Sequence, residues 1–219
     1  MATPCLSFST ASAGYPWSVW MFPCWNLWSH GIRSSPYGSG TAIAPRARLV
    51  PVVGTVLIAE QPEYGDRAHQ GKANSAIERL LKAREVAVVP IDTCLDPPNR
   101  TGLRTPAEIE SLIARMDVVV TTRLHGTALA LKNGVPPLVI DSVAGGDKVI
   151  RHARTLGWPA SFVIDELTDA KLMKAFDYCL TSEARQAAAD CGNQARQAVE
   201  QVRREFIAEV ARNSGGEIR

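Results

Sequence analysis

The stretch Asp117-Val118-Val119-Val120-Thr121-Thr122-Arg123-Leu124-His125-Gly126 decides the fold of this chain. Its first four residues form a largely β-branched run that is typical of a buried parallel strand. The residues after them predict a helix, because Leu124, Ala128 and Leu131 recur at helical spacing and share one apolar face. Gly134 stands where a helix C′ residue belongs, and the prolines that follow it exclude further helix. The stretch therefore predicts a strand that leads directly into a helix.

The start of that helix carries the first candidate site. We expect Thr122 to be the N-cap, so that Arg123 and His125 lie in the first turn, at the edge of the sheet where parallel sheets bind ligands. Free N–H groups favour an anion there, Arg123 adds a planar fork, and His125 can exchange a proton near neutral pH. Gly126 would let a ligand approach closely. The alternative is that Arg123 pairs with a surface carboxylate and that His125 caps or packs.

The rest of the chain alternates predicted strands with predicted helices. The motif Thr105-Pro106-Ala107-Glu108 is a helix start, with Thr at the N-cap, Pro at N1 and Glu at N3. This alternation predicts an α/β fold, a Rossmann-like parallel sheet flanked by helices. The further predicted strands are 55–59, 86–91, 137–141 and 161–164, and the further predicted helices are 73–84, 105–115, 147–156, 169–179 and 182–212.

Other polar side chains follow strand ends and extend the candidate site. Arg67 and His69 stand in the loop after the first strand, where His69 would share the carboxyl edge with His125. Asp141 ends a later strand, and it could orient a sugar hydroxyl or pair with Lys148. The glycine pair at 145–146 opens the next helix and is a second potential anion site.

Composition excludes several classes of function. A net charge of +2 without a long basic run gives no indication of nucleic-acid binding. The five cysteines contain no C-x-x-C pair, which argues against a zinc site or a disulfide framework and favours a cytoplasmic location. No Walker loop occurs and no G-x-G-x-x-G follows a strand, so we expect no dinucleotide cofactor. No cluster of metal-ligating residues is visible in the sequence, so we also expect no metal. No apolar run reaches the length of about 20 residues that a transmembrane helix needs.

The central stretch resembles the polysaccharide pyruvyl transferase family. The resemblance rests on residues 117–126, on Ala128-Leu129-Ala130, on Gly134-Val135-Pro136 and on the lysine of Gly145-Gly146-Asp147-Lys148. It implies a transferase that moves the pyruvyl group of phosphoenolpyruvate onto a sugar of a polysaccharide or its precursor, without a cofactor. It also implies one half of a two-domain fold similar to that of GT-B glycosyltransferases. Arg123 and His125 would be catalytic, and Thr122, Gly126, Lys148, His69, Arg67 and Asp141 would bind substrate.

The resemblance covers the second half of the family's pattern. The Asn-x-Gly-Asp pattern of the family's first domain does not occur in this sequence. We therefore expect a shortened gene product, a wrongly started reading frame or a domain that works with another chain. A second copy or a partner chain would then cover the face of the missing domain. Two alternatives stay open: a nucleotide-sugar glycosyltransferase of GT-B-like architecture, and a non-catalytic domain that binds an anion or a sugar.

The domain organisation follows from composition and pattern. Residues 1–45 are rich in Ser, Gly, Pro and Trp without a helical or strand period, and predict an irregular or disordered extension. Residues 46–180 predict the Rossmann-like donor-binding domain. Residues 181–213 predict a long amphipathic helix, and residues 214–219 a frayed tail.

Overall fold

The computed structural model describes residues 50–59, 62–95, Asn99 and 101–214. The predicted extension over residues 1–45, with its tryptophans, lies outside the described residues. Residues 215–219 of the predicted tail also lie outside them. The limits of the predicted domains remain a prediction.

A sheet of five parallel strands forms the centre of the fold. Its order is β2-β1-β3-β4-β5, and all four strand pairs are parallel. The predicted fold class, a Rossmann-like parallel sheet flanked by helices, is thereby confirmed. The strands are β1 (Val52–Val56), β2 (Ala87–Pro90), β3 (Val118–Thr121), β4 (Pro137–Asp141) and β5 (Ser161–Val163).

The first strand lies earlier in the chain than predicted. The prediction was 55–59, but β1 runs from Val52 to Val56. Its bounds follow from its neighbours, because Val52 pairs with Ala87 of β2 and Val53 with Val118 of β3. These partners are distant in sequence, so the apolar run alone did not fix the register.

In the part of the chain that the structure describes, six α-helices connect and flank the strands. The predicted capping box at Thr105 is confirmed, since the Thr105 side chain accepts from the N–H of Glu108 and the Glu108 side chain accepts from the N–H of Thr105. The loop that was predicted before the first helix is a 3₁₀ segment, Pro62–Arg67, with a kink at Gly65. The helices are α1 (Gln70–Lys82), α2 (Pro106–Ile113), α3 (Leu124–Lys132), α4 (Lys148–Thr155), α5 (Asp169–Cys179) and α6 (Ser182–Ser214), and Ile164–Glu166 is a further 3₁₀ turn.

Both faces of the sheet are covered over its central strands, whereas the edge strand β2 is largely exposed. Side chains alternate along β3, so Val118 and Val120 join an apolar cluster with Ile77 of α1, whereas Val119 joins another with Ile113 of α2. A sheet that is buried on both faces leaves only its strand ends available for polar chemistry.

The chain reverses direction across the sheet between β1 and β3. From β1 it moves outward to β2, then returns past β1 to β3 and continues to β4 and β5. At such a switch point the loops after two adjacent strands diverge and leave a crevice outside their carboxyl ends. The topology therefore places a candidate ligand site after β1 and β3.

Candidate functional site

A cleft of about 300 Å³ lies at this switch point. Its volume is at the lower end of the roughly 300–1,000 Å³ that is usual for small-molecule sites. The loops after β1, β2, β3 and β4 all contribute to its walls. The lining residues are Ile58, Glu63, Thr93, Cys94, Thr122, Arg123, Leu124, His125, Lys148 and Val149.

Arg123 lies at the N-cap position of α3 and is held by residues that follow β2. Its Nη1 donates to Asp92 Oδ1 at 2.9 Å and to Thr93 Oγ1 at 3.2 Å. The ion pair is half-buried, so both partners are partly desolvated. The alternative that Arg123 pairs with a carboxylate of the chain is therefore correct, and yet Arg123 also lines the cleft. The pair orients the guanidinium fork and balances part of its charge.

Sequence analysis did not identify Asp92. It follows β2 at the carboxyl edge, as Thr122 follows β3. That placement at a strand end was the signal that could have found it. What a local pattern could not supply was its pairing with Arg123, which lies 31 residues away.

Thr122 is not the N-cap of α3, contrary to the prediction. Its Oγ1 accepts from the N–H of Ile58 at 2.8 Å and so ties the end of β3 to the end of β1. The preceding Thr121 supplies the local turn instead, since its Oγ1 accepts from the N–H of Arg123 at 3.0 Å. Strand pairing decides this, because β3 extends to Thr121 and α3 begins only at Leu124. Thr122 still lines the cleft.

His125 lies in the first turn of α3, as predicted, and is exposed in the cleft. Within the described ranges, no hydrogen bond to its ring is present. An imidazole in this position can donate to a ligand or exchange a proton with it.

Gly126 is buried, and the structure gives it a different role from the predicted one. A Cβ at this position would overlap Thr121 Oγ1 and would lie 3.0 Å from Val56 Cβ. The glycine lets α3 approach β1 and β3 closely. Its place is behind the cleft wall, and it does not line the cleft.

Lys148 begins α4 and lines the cleft together with Arg123. Its Nζ lies 5.9 Å from the centroid of the Tyr64 ring, which is within cation–π range. A hydrogen bond to the Asp147 side chain raises the pKa of Tyr64 to about 12, so Tyr64 stays neutral. Glu63 beside it supplies the carboxylate of the cleft lining.

Asp141 is not a ligand group of the cleft. It is 1% exposed, and its Oδ2 accepts from the N–H groups of Asp147 at 2.8 Å and Ile150 at 3.0 Å. Its Oδ1 accepts from the N–H of Val143 at 3.0 Å. Asp141 therefore does not pair with Lys148. It caps the start of α4, so the predicted second anion site is occupied by a carboxylate of the chain itself.

Arg67 and His69 also lie outside the cleft lining. Arg67 Nη2 donates to the Ala144 carbonyl at 3.1 Å, and His69 Nδ1 lies 3.0 Å from Asp165 Oδ1. The two side chains fasten the loop after β1 to the segments after β4 and β5. Of the eight predicted site residues, the cleft brings together Arg123, His125, Thr122 and Lys148.

Within the described part of the chain, no group of three or more His, Cys, Asp or Glu side chains is arranged to hold a metal ion. No helix there is long and apolar enough to cross a membrane.

Comparison with known proteins supports the resemblance over part of the chain. Residues 69–142 match the family model of polysaccharide pyruvyl transferase, which confirms the predicted resemblance over about a third of the sequence. The matched segment contains Arg123 and His125, whereas Lys148 lies beyond it. No curated protein matches the chain.

One solved structure with a similar course of the chain is a glycotransferase of kitacinnamycin. The two are 14% identical with a TM-score of 0.45, and the match covers 78% of this chain and 46% of that one. This chain thus spans about half the length of that protein. Agreement this loose indicates nothing about what the cleft binds.

Proposed function

We propose that this chain is the donor-binding half of a polysaccharide pyruvyl transferase. It would move the pyruvyl group of phosphoenolpyruvate onto two hydroxyl groups of a sugar in a polysaccharide or its precursor. The observation that carries the proposal is one cleft at the switch point. It is lined by Arg123 and His125 from the segment that matches the family, and by Lys148 from the next loop.

The charges of the cleft suit a small dianionic donor. Phosphoenolpyruvate carries a carboxylate and a phosphate, and Arg123 offers a planar fork to either group. Asp92 already holds one guanidinium nitrogen, Nη1, so the fork is oriented before the donor arrives. Lys148 adds a point charge at the cleft wall, and the N-terminus of α3 adds free N–H groups.

The reaction needs one proton at carbon and the loss of one phosphate. The C2–O bond to phosphate breaks, two C–O bonds form to the sugar hydroxyls, and the methylene carbon gains a proton to become a methyl group. The sugar hydroxyls release two protons in total. One of them is equal in number to the proton that the methylene carbon gains, and the other leaves with the phosphate. His125 is the group we assign to proton delivery, because it is exposed in the cleft and can act as an acid near neutral pH.

We also propose that the transfer needs no metal and no cofactor. Arg123 and Lys148 would supply the positive charge that a metal ion provides in other phosphoryl sites. Activity that a chelator abolishes and that a divalent ion restores would contradict this.

The first test is calorimetric titration of phosphoenolpyruvate into the full chain. We expect saturable binding to the wild type, and binding weakened at least tenfold in both Arg123→Ala and His125→Ala, about 1.4 kcal/mol each. Lys174→Ala is the matched control, because Lys174 is an exposed cation on α5 outside the cleft lining. A folded wild type that binds no phosphoenolpyruvate contradicts the proposal.

A second measurement separates the three candidate functions. Phosphate release that depends on both phosphoenolpyruvate and a sugar indicates pyruvyl transfer. Binding of a nucleotide sugar without binding of phosphoenolpyruvate indicates a glycosyltransferase. Binding of phosphoenolpyruvate without turnover indicates a domain that only binds.

We propose further that a second chain, either another copy or a separate partner, covers an apolar surface of this one. The second half of α6 exposes large apolar side chains, among them Val199, Val202, Phe206 and Ile207. Exposed apolar surface of this kind is typical of association surfaces. Light scattering over a concentration series tests self-association.

We also propose a cytoplasmic location, which cell fractionation tests.

A further inference from the structure

A second cleft adjoins the first and is assigned no role by the proposed function. It measures about 390 Å³ and lies outside the ends of β1 and β2. Arg123 and Cys94 line both clefts, so the two share a wall. The other lining residues of the second cleft are Thr55, Leu57, Ala59, Pro90, Ile91, Asp92 and Thr101.

The two clefts differ in charge. The first contains the cations Arg123 and Lys148 with the carboxylate of Glu63. Arg123 is the one cation among the described residues that line the second cleft, and its ion partner Asp92 lines the same cleft. The second cleft therefore offers a nearly neutral surface with hydroxyl and carboxylate groups, which does not favour a second anion.

Two polar groups of the second cleft have free hydrogen-bonding capacity. Thr55 is 8% exposed, and its hydroxyl has no hydrogen bond to any described residue. Asp92 uses Oδ1 for the N–H of Cys94 and for Arg123, which leaves Oδ2 without a bond to any described residue. Both groups line the cleft and have hydrogen-bonding capacity left for a ligand that supplies donors and acceptors.

The second cleft also has an apolar part. Leu57, Pro90 and Ile91 present aliphatic surface beside Thr55 and Asp92. A ligand that combines C–H surface with hydroxyl groups matches this mixture. A saccharide has that composition, because its ring carries aliphatic hydrogens on its faces and hydroxyl groups at its rim.

We propose that the second cleft binds the saccharide acceptor, with hydroxyl groups of the sugar bonded to Thr55 Oγ1 and Asp92 Oδ2. The inference rests on the proposed function, which places the anionic donor in the first cleft. Reaction requires the donor carbon and the attacking hydroxyl to approach within roughly 3–3.5 Å. Two clefts that share Arg123 as a wall allow such an approach.

Two variants address the second cleft without touching the first. Thr55→Val keeps the β-branched shape of a strand residue and removes only the hydroxyl. Ala59→Phe places a ring into the cleft from an exposed position that does not line the first one. Ala198→Phe is the matched control, because Ala198 is exposed on α6 and lines neither cleft.

The probes are phosphoenolpyruvate, the methyl glycosides of glucose, galactose and mannose, and uridine. Calorimetry gives the Kd for phosphoenolpyruvate, and saturation-transfer NMR on the donor-loaded full chain gives glycoside binding. We expect Thr55→Val to weaken glycoside binding roughly two- to tenfold, the loss of one hydrogen bond. We expect Ala59→Phe to abolish glycoside binding, and both variants to retain the wild-type Kd for phosphoenolpyruvate within about twofold.

Outcomes that differ from these expectations contradict either the acceptor cleft or the proposed function. A wild type that binds phosphoenolpyruvate but none of the glycosides contradicts the acceptor cleft, as does glycoside binding that both variants leave unchanged. Binding of uridine that Ala59→Phe abolishes would assign the cleft to a nucleoside instead. Absence of phosphoenolpyruvate binding by the folded wild type contradicts the proposed function, and glycoside binding lost in Ala59→Phe would then still support the cleft as a sugar site.

Discussion

Replacing Gly126 by alanine tests the packing of the site most directly. The new Cβ would overlap the hydroxyl of Thr121, and it would lie 3.0 Å from both Thr121 Cβ and Val56 Cβ. Thr121 is fully buried, and its hydroxyl accepts from the N–H of Arg123 at 3.0 Å while donating to the Val56 carbonyl at 3.0 Å. To relieve the overlap, either α3 moves away from the sheet or the Thr121 hydroxyl leaves its partners.

The expected loss of stability follows from three contributions. Overpacking costs about 1–3 kcal/mol. Loss of the Thr121 acceptor of the Arg123 N–H costs about 1–3 kcal/mol more, whereas the Val56 carbonyl still accepts from the N–H of Thr122. The higher helix propensity of alanine returns at most about 1 kcal/mol. We therefore expect Gly126→Ala to lower the free energy of unfolding by about 3 kcal/mol, within bounds of about 1 and 6.

Urea unfolding followed by far-UV circular dichroism measures this change, as a shift of the midpoint at constant slope. Gly71→Ala is the matched control, because Gly71 lies in α1 and a Cβ there would have nothing within 4 Å. We expect that control to be unchanged or up to about 1 kcal/mol more stable. The Thr121→Ala/Gly126→Ala double variant removes the hydroxyl that clashes, so the two changes should couple by at least about 1 kcal/mol.

The reasoning is refuted if Gly126→Ala unfolds within about 0.5 kcal/mol of the wild type, the range of ordinary surface changes. Such a result would mean that α3 has room to move against β1 and β3. Gly126 would then be free for the ligand-approach role that the sequence suggested.

Three further predictions concern the groups around the site and the core. Asp141→Asn should lower the free energy of unfolding in urea by roughly 2–3 kcal/mol, because three N–H groups lose a carboxylate acceptor. A change below about 0.5 kcal/mol would contradict the capping role. Burial lowers the pKa of His152, so the unfolded chain binds a proton on this imidazole at a higher pH than the folded chain does. The stability that depends on the neutral imidazole should therefore be lost as the pH falls below about 6.5. His152→Leu should therefore flatten the stability profile between about pH 7 and 5, and an equally steep profile would count against it. Burial raises the pKa of Cys179 to about 12, so iodoacetamide at neutral pH should label it only after unfolding, and equal labelling of the native chain would contradict this.

Local signals in the sequence predicted those elements whose causes are local. The capping box at Thr105 needs residues three apart and formed as expected. The strand 137–141 is bounded by a proline pair and was placed with its observed limits. The groups of the capping box are close in sequence, and the start of the strand is marked by neighbouring prolines, so both signals are visible without the fold.

Predictions that depended on distant partners were less accurate. Thr122 had the residue type of an N-cap, but its hydroxyl accepts from Ile58, 64 residues away. Asp141 had the position of a ligand group, but it is buried, and its carboxylate accepts hydrogen bonds from N–H groups of the loop that follows. A hydroxyl or carboxylate can serve several partners, and the sequence does not say which partner folding brings closest.

The sequence by itself determined the α/β alternation, the parallel sheet and the presence of Arg123 and His125 at the start of one helix. These follow from apolar periodicity and from caps and breakers, which act over a few residues. Only the tertiary structure decided which strand ends meet, and hence that Asp92 after β2 holds Arg123 while Arg67 and His69 lie outside the cleft. Strand order depends on long-range pairing between β1, β2 and β3. That pairing decides which loops lie side by side, and therefore which side chains form the site.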